Sequence, residues 1–243
     1  MAILALHGFT QRGSAWLEAA EAVGGDWLMP DLPGHGGEPV VPWEAAVARI
    51  GGFLAAIPPP RVLAGYSMGG RLALETALTS PGLVDELVLV STSPGIEAPA
   101  ARAQRRAADG ALADRIETVG IEVFVDEWSA RPMFTGLQHR GPEWVARDRA
   151  ARLGNTAAGL AGALRALGQG AQPYRGDRWA DVEIPVLLLT GEQDLRYTTL
   201  ANQMGEQIEQ SRVLVIPNAG HALLGEAPEA VADAMVSWVV TLE

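Results

Sequence analysis

A chain of 243 residues with 48% hydrophobic content can bury the core of one α/β domain carrying an insertion, rather than two independent domains. Its formal net charge of −11 argues against nucleic acid or an anionic membrane as partner, and the absence of cysteine excludes disulfides and thiol chemistry. All 18 basic residues are arginine; twelve fall between residues 96 and 182 beside eleven acids, so that segment carries +1 and the remainder −12.

The chain opens on a strand, residues 3–6, with no basic leader or small-residue cleavage site ahead of it. No apolar run approaches the ~20 residues that span a bilayer, so a soluble, cytoplasmic protein is expected. His7-Gly8-Phe9-Thr10 ends the strand, and residues 14–23 read as a short amphipathic helix with Ser14 as N-cap. Residues 27–30 form the next strand, followed by the loop from Asp31 to Gly37. Helical periodicity over 43–57 stops at Pro58-Pro59-Pro60. An apolar strand at 61–64, a helix reaching Thr79 and a buried strand at 87–90 come next. Strands alternating with helices of this length indicate a mostly parallel sheet with helices on both faces.

The rhythm breaks at Pro94. No strand pattern appears until Val182, only helical spacing rich in alanine, arginine and tryptophan. With the change in charge, this predicts a helical lid, residues 96–182, inserted into a core made of 1–95 and 183–243. Alternation then resumes with a strand at 186–190, a helix near 199–208, a strand at 212–216 and a final helix over 228–240.

The pentapeptide Gly65-Tyr66-Ser67-Met68-Gly69 falls between a strand and a helix, the context a nucleophile elbow needs. Its glycines are read sterically, since a strained turn brings neighbouring backbone too close for a Cβ. A serine hydroxyl is inert at its free pKa unless a neighbour takes its proton. Of four histidines, His221 alone follows a late strand, through Pro217-Asn218-Ala219-Gly220, and is the expected base. His7 and His35 are read as loop-ordering residues and His139 as exposed. The orienting acid should lie between serine and histidine, where Gly191-Glu192-Gln193-Asp194 offers two; Asp194, deeper in the loop, is preferred to Glu192. The N–H groups of Met68, after the nucleophile, and of Phe9, after the first strand, are the expected oxyanion donors. Arg71 stands in the first turn of a helix, where a cation opposes the macrodipole, which points to an anion-binding role beside Ser67. Trp43, Trp179 and Trp238 are read as packing residues.

Through HGF, DLPGHG, GYSMGG, GEQD and NAGH the chain resembles the α/β-hydrolase superfamily along nearly its whole length. A narrower resemblance rests on Gly65 to Arg71, Ser91-Thr92-Ser93-Pro94-Gly95, Trp128 with Pro132 and Phe134, and Gly170-Ala171-Gln172-Pro173. These are similar to the 2-succinyl-6-hydroxy-2,4-cyclohexadiene-1-carboxylate synthases of menaquinone biosynthesis. That resemblance implies a lyase in which Ser67, His221 and Asp194 remove a proton from an anionic cyclohexene carboxylate, and pyruvate leaves. It also implies Arg71, Arg105, Trp128, Arg152 and Tyr66 as substrate-binding residues. Thr10-Gln11 departs from the pattern, because many members carry a glycine there.

Two rival readings remain open at this point. One is a serine carboxylesterase or C–C bond hydrolase, with Ser67 acylated; the other is a ligand-binding protein on a hydrolase scaffold. No metal cluster or nucleotide-binding loop is visible, so no cofactor is expected. The expected partner is a small-molecule carboxylate, without nucleic acid or membrane. The chain is expected to be a monomer, oligomers being left open.

Overall fold

Apolar runs of a few residues, too short for helices, build the sheet. The computed structural model describes residues 1–242. Among these, six strands pair in parallel: β1 (Ala2–Leu6), β2 (Asp26–Leu28), β3 (Arg61–Tyr66), β4 (Glu86–Val90), β5 (Val186–Gly191) and β6 (Ser211–Ile216). Their spatial order is β2-β1-β3-β4-β5-β6. The order turns back on itself at β1, opening a crevice beyond the carboxyl ends of β1 and β3, which is where open α/β sheets bind ligands.

Period-two alternation along the strands divides the core. Leu4, Leu6, Leu63, Leu87 and Leu188 face α2 (Trp43–Ala56), α3 (Met68–Thr79) and α7 (Leu195–Gln207). Ile3, Ala5, Val62, Val88 and Leu187 face α1 (Leu17–Val23) and α9 (Pro228–Leu242) on the other side. The central strands are covered on both faces, so they carry continuous apolar runs rather than alternating with polar residues.

Between β4 and β5 the chain leaves the sheet for an inserted helical region. It consists of α4 (Pro99–Ser129), a 3-10 segment (Pro132–Arg140), α5 (Pro142–Leu153) and α6 (Ala157–Leu167). Gly120 breaks α4 with a non-helical conformation (φ 78°, ψ 172°). Ala113, Ile116, Phe124, Leu160, Ala161 and Leu164 form an apolar cluster within this region, separate from the two sheet-facing cores. No helix among the described residues is long and apolar enough to cross a membrane.

Several local expectations shift. Ser14 does not cap α1: a 3-10 turn, Gly13–Trp16, comes first, and its leading N–H at Gly13 donates to the Asp31 carboxylate at 2.8 Å. Strand β2 ends at Leu28 instead of reaching Pro30, which has no N–H for a ladder. Helix α7 starts at Leu195, four residues earlier than its apolar spacing suggests, and a short helix, α8 (Leu223–Glu226), precedes α9.

Candidate active site

Ser67 is the single residue between β3 and α3. Its backbone (φ 52°, ψ −107°) lies in a region that costs a non-glycine residue about 1–3 kcal/mol. Neighbouring groups hold it there. Its N–H donates to the Val90 carbonyl (2.9 Å), and its carbonyl accepts from Thr92 Oγ1 (2.9 Å) and the Arg71 N–H (3.2 Å). The flanking glycines have no room for a side chain: a Cβ on Gly65 would approach the Gly69 carbonyl oxygen to 2.6 Å, and one on Gly70 would approach Thr92 Cβ to 2.7 Å.

The His221 ring joins Ser67 to Asp194. Its Nδ1–H donates to Asp194 Oδ2 at 2.6 Å, which leaves Nε2 unprotonated to accept from Ser67 Oγ at 3.1 Å. Glu192 turns elsewhere, accepting the N–H of Asn218 at 2.9 Å. Thr92, at the end of β4, braces the elbow rather than the base. His7 and His35 are fully buried and stack edge to face. The His7 Nδ1–H bonds to the Gly8 carbonyl while Nε2 accepts from Leu32; His35 Nε2 accepts from the Thr10 N–H. Burial pushes the two rings down to about 4 and about 3, respectively, so both are neutral. His139 is exposed.

A cavity of about 350 Å³ lies at the carboxyl ends of β1 and β3, beneath the inserted region. Its wall brings together Ser67, Asp194, His221, Phe9, Met68, Tyr66, Arg71, Arg105, Trp128 and Arg152. The N–H groups of Phe9 and Met68 donate to no acceptor among the described residues, whereas the next N–H, that of Gly69, donates to the His7 carbonyl (3.1 Å).

The arginines differ in their partners. Arg71 is 8% exposed, and Nη1 donates to the Leu167 carbonyl at 2.9 Å; no carboxylate among the described residues pairs with it. Burial lowers it to about 10, and it remains a cation at neutral pH. Arg105 is braced by Asp109 (2.7 Å) and Gln169 (2.6 Å), and Arg152 by Asp148 (2.7 Å) and the Thr10 hydroxyl. The Trp128 ring meets Phe9 edge-on at 5.2 Å between centroids, and its Nε1 is buried without an acceptor among the described residues. Trp43 and Trp238 are buried in the two cores, and Trp179 packs against the first of them.

The departure at Thr10 has a geometric basis. Thr10 holds φ 69°, a conformation glycine adopts freely and a β-branched residue rarely does. Polar contacts hold it: its N–H to His35, its carbonyl from Asn155, its hydroxyl from Arg152. Gln11 secures the same turn by accepting the Gly8 N–H at 3.1 Å.

Sequence reasoning did not single out Arg131, Gln169, Arg196 and Tyr197, all of which line the cavity. The Arg131 guanidinium lies over the Trp128 ring at 4.2 Å, and the Tyr197 ring lies 4.6 Å from that of His221. Arg131 stands beyond the end of α4 and Tyr197 meets a residue 24 positions away, so neither contact follows from helical spacing.

A model of the alpha/beta hydrolase family matches residues 3–234. A Bacillus subtilis (strain 168) protein named for 2-succinyl-6-hydroxy-2,4-cyclohexadiene-1-carboxylate synthase is 35% identical over 236 residues, covering 93% of this chain and 86% of its own. The synthase of that name from Salmonella heidelberg (strain SL476) is 32% identical over 243 residues, covering 95% and 90%. Among solved structures, MenH from S. aureus superposes with a TM-score of 0.93 at 29% identity, covering 99% of this chain and 94% of that one. The chain belongs to the α/β-hydrolase family and, within it, to the family of 2-succinyl-6-hydroxy-2,4-cyclohexadiene-1-carboxylate synthases.

Proposed function

We propose that the protein is a carbon–oxygen lyase that eliminates pyruvate from an anionic cyclohexene carboxylate of menaquinone biosynthesis, with Ser67, His221 and Asp194 as the proton-abstracting triad. The observation that carries this reading is Arg71: a buried cation without a carboxylate partner, lining the same cavity as the serine. Burying an unpaired charge is costly, and a substrate carboxylate removes that cost with charge-assisted hydrogen bonds. Arg105, Arg131, Arg152 and Arg196 line the same cavity, which suits a polycarboxylate. The Trp128 ring lines the same cavity.

In the reaction, Ser67 Oγ passes its proton to His221 Nε2 and takes the substrate's acidic C–H proton. The electrons of that bond move into the ring and form a new double bond. The bond from ring carbon to the pyruvyl oxygen breaks, and the leaving group recovers a proton as pyruvate. Asp194 keeps the imidazole in the Nδ1–H tautomer and stabilises the imidazolium. The free N–H groups of Phe9 and Met68, with Arg71, stabilise the charge that builds on substrate oxygen. The cysteine-free chain suits a reducing, cytoplasmic setting.

The test is pyruvate release from the cyclohexene-carboxylate substrate, measured beside hydrolysis of a neutral short-chain aryl ester. Efficient pyruvate release with slow ester turnover is expected. Fast ester hydrolysis without pyruvate would make the protein a serine hydrolase instead.

A further inference from the structure

We infer that Glu226, outside the triad, is a positioning residue that fixes His221 through its backbone. Glu226 closes α8, five residues after the base. Its Oε2 accepts the N–H of Gly220 at 2.6 Å, and its Oε1 accepts the N–H of Ala222 at 3.0 Å. These are the peptide N–H groups on either side of His221, so one carboxylate grips the chain both before and after the imidazole-bearing residue. Glu226 forms no ion pair among the described residues; the two peptide donors are its hydrogen-bond partners. Bonds from peptide N–H to an ionised carboxylate are short and strong, and two converging on one group set an orientation as well as a distance.

The side-chain bond to Asp194 holds one edge of the imidazole. It does not fix the Cα from which the ring hangs, yet Nε2 must meet Ser67 Oγ closely for proton transfer. The Glu226 clamp supplies that missing constraint.

The inserted region seats the clamp from outside. Gly136 of the 3-10 segment passes so near that a Cβ on it would fall on the Glu226 carboxylate. Arg140 of the same segment donates Nη1 to the Gly225 carbonyl at 2.6 Å, one residue before the clamp. A lengthened side chain at Gly136 therefore displaces the carboxylate without altering Glu226 itself.

The inference needs only that His221 activates Ser67, so it is separable from the lyase reading. Two readouts are used on the full chain: kcat and KM for pyruvate release, and the rate at which a small neutral fluorophosphonate labels Ser67. The second stays readable if no pyruvate is formed. Glu226→Ala is expected to lower kcat and the labelling rate about ten- to hundred-fold, with KM changed less than about threefold. Glu226→Gln, which keeps one acceptor oxygen and sets an N–H₂ against the second peptide donor, should fall between it and the parent. Gly136→Ala should show a smaller loss of the same kind, and Gly136→Ala with Glu226→Ala should be no worse than Glu226→Ala alone. Folded variants, checked by thermal melting, that keep the parental labelling rate would overturn the inference. So would losses that add fully in the double variant, or an effect on KM alone. If Glu226→Ala does not fold, the Glu226→Gln and Gly136→Ala pair decides on the same criteria.

Discussion

Arg71 concentrates the functional argument in one side chain. A guanidinium in the first turn of a helix faces the positive end of the dipole, and here it is also buried without a counter-charge. Two unfavourable terms at one residue mean that the net gain comes from outside the folded chain. Replacing Arg71 by alanine removes a charge-assisted contact of about 1.5–3 kcal/mol, which corresponds to roughly a ten- to hundred-fold fall in kcat/KM for pyruvate release. Hydrolysis of a neutral ester by the same variant should barely change, and the melting temperature should rise or hold, because an unpaired buried charge has gone. Equal losses on both substrates would show that the residue serves the fold. Ser67→Ala gives the complementary result: nearly complete loss of both activities in a protein that melts like the parent, because alanine keeps the Cβ and the same backbone conformation.

At the scale of elements, chemistry at the site explains both what the sequence disclosed and what it hid. Strands β3, β4 and β5 were legible because burial on both faces makes their interior runs (62–64, 87–90 and 186–189) wholly apolar, and the elbow because its glycines meet backbone. The start of α7 was not. Asp194 stands at its N-cap, but it reads as the orienting acid and not as a helix start, and its carboxylate does go to His221 rather than to a cap bond. Helix α8 was hidden for a related reason: with four residues it has no periodicity to read, and its role lies in where Glu226 reaches. The pairings of Arg131 with Trp128 and Tyr197 with His221 depend on tertiary packing that spacing alone does not specify. The junction between α5 and α6 yields a test of how firmly the inserted region is joined to the loops below it. Asn155, 4% exposed, donates to the Thr10 carbonyl (2.8 Å) and accepts the Gly36 N–H (2.9 Å). Asn155→Ala strands polar groups in both loops, and a loss of about 2–4 kcal/mol in urea unfolding is expected. A loss below about 0.5 kcal/mol would mean that water replaces the amide without penalty.

For the whole molecule, the buried pair His7 and His35 links the fold's stability to pH. The two rings stand where the loop after β1 meets the loop after β2, and each accepts a backbone N–H from the opposite loop: Leu32 to His7, Thr10 to His35. Protonating either Nε2 would set donor against donor in a site that also excludes water. Desolvation is the leading cause of both depressed values; for His7 the nearby Asp31 acts upward and Arg12 downward. The sign follows. The unfolded chain takes up these protons as pH falls through the ordinary histidine value of 6.5, while the folded chain refuses them until about 4 and about 3. Stability is therefore full above about pH 6.5 and is lost as pH falls below it, by about 2 kcal/mol per ring at pH 5. The lowered carboxylates, the partly buried Glu18 and Asp31 and the exposed Glu117, Asp126 and Glu127, add to this only as pH approaches the ordinary acid range near 4. Urea unfolding at pH 7 and pH 5 should reveal the difference, and His35→Gln, whose amide oxygen can still accept from Thr10, should remove about half of it. If the variant loses as much stability between those two pH values as the parent, the linkage lies in other groups and the histidine pair is only packing.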